Sequence, residues 1–161
     1  MSTPGFVESY FEVGSIDGEV DWLLKDHHYN SLDSTNYILP KNALSDGASI
    51  PRALRNIFNF SGRYWRAAYL HDLCYRNTLM KLDHVKCSVV LADLSFSQSN
   101  ELFKEAMTSL KDGELTIDIL DEAVCLFGEI AFNNDRAKGR EYWIYPGSGI
   151  PKNTKWDKVV I

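Results

Sequence analysis

The residues best suited to chemistry are Leu70-His71-Asp72-Leu73-Cys74-Tyr75-Arg76, which put an imidazole, a carboxylate and a phenol on consecutive turns of a predicted helix. His71 and Tyr75, four residues apart, then share a face, with Asp72 beside them. An imidazole can activate a water, and a carboxylate can hold a cation or orient the imidazole, so the trio suits metal-assisted hydrolysis. Burying a histidine next to an aspartate costs free energy unless a partner, a metal or a substrate satisfies both. The plainer alternatives are a core imidazole bonded to a carbonyl or carboxylate for His71, and a salt bridge from Asp72 to Arg76 or Arg52.

A second polar set lies upstream. Asp46-Gly47 sits in a loop over residues 41–49, where glycine allows a positive-φ turn or a close backbone approach. Asp46 is a candidate second ligand for a metal or water, or else an Asx-turn residue. Pro51 fits the first turn of a short helix, with Ser49 as its cap. Arg52, Arg55, Arg63 and Arg66 form the densest positive charge in the chain. Ser49, Arg52 and Arg63 are the candidate binders of an anionic substrate group; otherwise these arginines are solvated or salt-bridged. His27 and His28 alternate along a strand and so point to opposite faces, which argues against one shared ion. Cys74 reads as core, and His84 as solvated near a helix start. Tyr142, Trp143 and Tyr145 either pack on the core or form a partner surface.

The elements that must position these residues follow from patterning. Residues 1–19 read as an extended arm. Val20 to Tyr29 has strand character, Asn36 to Pro40 is a second short strand, and the polar stretch between them is a turn. Helices are expected over a short segment from Pro51, over Arg63 to Thr78, over Asp83 to Leu110 and over Thr116 to Ala137. The Arg63 helix is apolar nearly all round and therefore central. Tyr142 to Gly147 is extended, and residues 158–161 could add an edge strand. The class is α+β: a small N-terminal antiparallel sheet, a mainly helical body of about three major helices, and an extended tail over 146–161. One domain over 20–145 accommodates the body.

Composition narrows the function. With 161 residues, 45% of them hydrophobic, the chain can bury one core. A net charge of −5 does not favour nucleic acid or an anionic membrane surface. Three cysteines without a Cys-x-x-Cys pair predict neither a disulfide framework nor a structural zinc site. No signal peptide and no transmembrane run is read from the sequence, which points to the cytoplasm.

Taken together, several motifs resemble a family of phages and bacteria catalogued as domain-of-unknown-function family 1353. They are Trp22, Tyr29 and Leu39-Pro40, then Asp46-Gly47-Ala48-Ser49-Ile50-Pro51-Arg52, then Gly62-Arg63-Tyr64 running into His71-Asp72 and Tyr75-Arg76. Phe103-Lys104-Glu105-Ala106-Met107 and Ala123 to Gly128 follow. The resemblance covers about residues 20–145. It implies a phage or prophage origin and a location in the bacterial host cytoplasm or on the virion, with no established activity. Members carry Ala-Asp-x-x-Phe just before Phe-x-x-Ala-Met; here that spacing holds Ser99-Asn100-Glu101-Leu102-Phe103, while Ala92-Asp93-Leu94-Ser95-Phe96 matches seven residues earlier. On one helix Asp93 and Asn100 would lie on nearly the same face, so either Asp93 takes the carboxylate's role or the role is lost.

The His-Asp-x-Cys-Tyr string is also similar to the catalytic helix of secreted phospholipases A2. That similarity implies His71 as general base, Asp72 as calcium ligand, Tyr75 as supporting phenol and Asp93 as the orienting carboxylate. Calcium needs about 6–8 oxygens, so Asp46 and loop carbonyls would have to contribute. The two readings are a metal-assisted hydrolase of esters or phospholipids, with Ca²⁺ as its cofactor, and a non-catalytic phage module. The latter would be a virion accessory or an anti-defence protein that sequesters a small molecule or anion, with oligomerisation through the aromatic tail.

Overall fold

A computed structural model describes residues 3–16, 20–46, 64–110 and 114–145. In chain order these form β1 (Gly5–Phe6), β2 (Val13–Ile16), β3 (Val20–Leu23), β4 (His27–Asn30), β5 (Asn36–Leu39) and β6 (Leu44–Ser45). Then come α1 (Tyr64–Tyr75), the hairpin β7 (Met80–Asp83) and β8 (Ser88–Leu91), α2 (Phe96–Ser109), α3 (Glu114–Ala137) and a single 3₁₀ turn, Arg140–Trp143. This is the expected α+β class, with six antiparallel strands before α1 and, among the described residues, three helices from there on, the hairpin β7–β8 lying between α1 and α2.

Two antiparallel sheets form, one of five strands in the order β1-β4-β5-β7-β8 and one of three in the order β2-β3-β6. Strand β4 buries His27 and Tyr29 and exposes His28, as period-two alternation requires. It pairs with β5 in the register Tyr29↔Tyr37 and His27↔Leu39, so two tyrosines meet across the ladder. Gly14 of β2 lies opposite Trp22 of β3, and a Cβ there would collide with the indole, so only glycine fits this pairing.

Helix α1 is buried from Ala67 through Tyr75, as its all-round apolar pattern predicts. Helix α2 begins with a reciprocal capping box between Ser95 and Gln98. Helix α3 buries Ile117, Leu120 and Val124. Its Gly128 makes room for the Tyr75 hydroxyl and the Phe96 ring. Trp143 is buried, and Tyr145 stacks on Trp22 with centroids 4.4 Å apart, so these tail aromatics pack inward.

Several expected elements differ. The strand expected over Val20 to Tyr29 is two strands in different sheets, parted at residues 24–26. The helix expected from Asp83 begins only at Phe96, because β-branched Val89 and Val90 pair against β7 and Cys87 takes a positive φ of 49° in the turn. The N-terminal arm contributes β1 and β2, and Tyr142 and Trp143 end a 3₁₀ turn instead of an extended run. The helix expected from Pro51 and the strand at 158–161 lie outside the described residues.

Candidate functional site

Helix α1 places His71 and Asp72 on different sides of itself, each fully buried. The His71 Nε2 lies 3.0 Å from the Asn100 Oδ1 of α2, and the Tyr75 hydroxyl donates to the same oxygen at 2.9 Å. An amide oxygen only accepts, so in this arrangement Nε2 carries the proton and Nδ1 the lone pair. Nδ1 is buried without a hydrogen-bond partner among the described residues. The ring is packed between Phe103 and Tyr75, with centroids at 4.5 and 4.1 Å. Burial pushes its pKa down to about 4, against the smaller upward pulls of the Asn100 hydrogen bond and the Asp72 charge. His71 is thus a neutral, buried imidazole in this arrangement.

Asp72 belongs to a different cluster. Ser45 Oγ donates to its Oδ2 at 2.6 Å, and Arg76, one turn along, lies 3.8 Å away. The buried Arg76 guanidinium also pairs with Asp46, approaches Asp135 of α3 at 3.5 Å, donates to the Leu44 carbonyl at 2.6 Å and sits 4.0 Å over the Trp143 ring. Burial opposes its charge, and Asp72, Asp46 and Asp135 more than restore it, so its pKa is raised. Asp135 is shifted upward by burial, with Arg76 pulling against that shift. The expected metal ligands Asp46 and Asp72 are therefore brought together, around an arginine. Only a planar fork of several donors can serve so many acceptors at once. Among the described residues, no three of His, Cys, Asp and Glu are grouped to hold a metal ion.

Asp93 is not beside His71. It precedes α2 with a positive φ of 45° and pairs at 2.8 Å with Arg136 of α3. Arg136 also donates to the carbonyls of Cys74 and Tyr75 at 3.2 Å and of Leu94 at 2.6 Å, capping the C-terminal end of α1. Asp93 is expected from the sequence to orient His71; its carboxylate instead pairs with Arg136 and His71 meets Asn100, because the two-turn spacing to Asn100 presumes one continuous helix and the hairpin β7–β8 and its exit loop replace the first half of it. Asn100 supplies the oxygen beside His71 Nε2. Its place at the family's Asp spacing was the sequence signal for it, whereas nothing in the sequence linked Arg76 to Asp135 or Arg136 to α1. Ser49, Arg52 and Arg63 lie outside the described residues. Arg66 donates to the Glu8 carbonyl at 2.8 Å and sits over the Phe6 ring.

A cleft of about 290 Å³ opens elsewhere, between the β4–β5 turn and α2. Leu32, Tyr37, Leu94 and Leu102 give it apolar walls, and Ser31, Gln98, Asp33, Glu101 and Glu105 give it polar ones. Glu105 accepts from the Tyr29 hydroxyl at 2.9 Å, Ser31 Oγ at 3.1 Å and the Leu32 amide at 3.1 Å. These donors are neutral, so they hold the carboxylate in place without an ion pair among the described residues. Asp33 is held below its usual pKa chiefly by the Thr35 amide.

The fold and its buried clusters define a small α+β domain in which the His-Asp string ties α1 to the strands and helices around it. The chain belongs to the family described as "Protein of unknown function (DUF1353)", which matches residues 22–120. Comparison with curated proteins finds no match, and comparison with solved structures finds none either.

Proposed function

We propose that this protein is a non-catalytic binding module that holds a small amine- or guanidinium-bearing molecule in the cleft between the β4–β5 turn and α2. The observation that carries this reading is the contrast between the two polar regions. His71 and Asp72 are fully buried, whereas Asp33, Glu101 and Glu105 line an open concavity with apolar walls. A cationic head against the carboxylates and a short apolar body against Leu94, Leu102 and Tyr37 would fit that lining. The expected ligand thus changes sign, from an anion on arginines to a cation on carboxylates. A phage setting, in the host cytoplasm or on the virion, follows from the family resemblance and belongs to the same proposal.

Calorimetric titration with agmatine and, as the anionic control, glutarate tests it. Agmatine binding that weakens at least tenfold in Glu105→Gln and Glu101→Gln supports the reading. Equal binding by the variants, or binding of glutarate alone, refutes it. The metal-assisted hydrolase keeps one supporting observation, that Asp46 and Asp72 lie in one cluster. Ca²⁺ binding by the wild-type chain that disappears in Asp72→Asn would favour that alternative.

A further inference from the structure

Helix α3 turns a large apolar face outward. Ile119, Leu126, Phe127 and Ile130 are 40, 68, 65 and 75% exposed. At 100° per residue, Ile119, Leu126 and Ile130 lie within about 40° of one another and Phe127 flanks them, so the four form one stripe. The opposite face, with Ile117, Leu120 and Val124, is the one packed on the core. Exposed acids Asp118, Glu122 and Glu129 all fall along a single edge of the stripe. A contiguous apolar stripe of this kind marks a surface that another segment covers.

The charge selects the occupant. A two-fold antiparallel pairing with a second copy would set acidic edge against acidic edge. The segment that complements the face is in this sequence: within residues 146–161 stand Lys152, Lys155 and Lys158, with Asp157 the one acid, interleaved with Trp156, Val159, Val160 and Ile161. This basic, apolar run contrasts with the net charge of −5 for the chain as a whole. The geometry also permits the reach. Trp143 Nε1 donates to the Asp135 carbonyl near the end of α3 at 3.1 Å, and Tyr145, two residues on, is held by Trp22 and the Asn42 carbonyl, so the chain leaves Tyr145 within about 7 Å of that anchor. From there to Ile119 is about 24 Å of helix. Sixteen residues follow Tyr145, and they can extend to about 50 Å.

We infer that residues 152–161 of this chain dock in cis on the outer face of α3, with Trp156 and Val159 to Ile161 on the Ile119–Leu126–Phe127–Ile130 stripe and Lys155 and Lys158 on the acidic edge. Zero-length carbodiimide cross-linking of the full chain, read by peptide mass spectrometry, tests this. The expected products are intramolecular links from Lys155 or Lys158 to Glu122 or Glu129 in the monomer. Their yield falls at least tenfold in the surface double variant Leu126→Asp/Ile130→Asp. The link between Lys104 and Asp121, which lie 2.8 Å apart, reports in each sample that the fold and the reagent are intact. Formation of that control link without any link from 152–161 to α3 overturns the inference. So do links found only in a covalent dimer, which would assign the face to a second copy, and links undiminished in the double variant.

Discussion

Acidification should destabilise this protein through His71. The imidazole is buried and neutral, with its pKa pushed down to about 4. In the unfolded chain it returns to about 6.5. Between these values the unfolded state binds a proton that the folded state refuses, so stability falls as pH drops from about 6.5 to about 4 and is flat below. Each pH unit in that window is worth about 1.4 kcal/mol, and the drop from pH 7.5 to 5.0 costs about 2 kcal/mol. The assay is urea unfolding of the wild-type chain and of His71→Phe at both pH values. Phenylalanine fills the slot beside Phe103 and cannot titrate. His27, which burial also pushes down, and the carboxylates remain in both proteins and cancel in the comparison. The wild type should lose about 2 kcal/mol more than the variant over this interval. Parallel losses would mean that His71 is not a sealed neutral imidazole, and would reopen it as an accessible base.

Three further outcomes are expected. Replacing Arg76 by Met leaves Asp46, Asp72 and Asp135 without their shared cation and should cost about 3–5 kcal/mol in urea unfolding at pH 7; Arg76→Lys, with a point charge in place of a fork, should recover only part of it. Asn100→Asp puts a carboxylate 3.0 Å from His71 Nε2 and should raise the imidazole pKa by at least about one unit in an NMR titration; an unchanged value would refute the Asn100–His71 pairing. Gly128→Ala drives a Cβ into the Tyr75 hydroxyl and to 3.2 Å from the Phe96 ring, and should cost about 1–3 kcal/mol. Because the hydroxyl makes the tighter contact, a double-mutant cycle with Tyr75→Phe should return part of that loss.

The sequence by itself determined the elements whose signals are local. The apolar run from Ala67 to Tyr75 made α1 central, and the spacing of Ile117, Leu120 and Val124 drew α3. The motifs from Trp22 to Met107 carried the family resemblance. Local signals that could have corrected the rest were also present: Ser95-x-x-Gln98 marks the start of α2, and Val89-Val90 marks a strand. The composition of His71-Asp72-x-x-Tyr75 indicated a buried polar site, but not its chemistry. That depended on contacts between residues far apart in the chain. Asn100 stands 29 residues from His71, Asp135 stands 59 from Arg76, and Arg136 stands 61 and 62 from the α1 carbonyls it caps. Sequence patterning reports which face of a helix is buried, because burial follows a period of 3.6. It does not report what that face meets, because a carboxylate bonded to an arginine and one waiting for a metal have the same side chain. Only the tertiary structure gave His71 an amide from α2 for a partner, brought Asp46 from beside β6 and Asp135 from α3 to the Asp72–Arg76 pair, and left the open cleft between the β4–β5 turn and α2 beside Glu105.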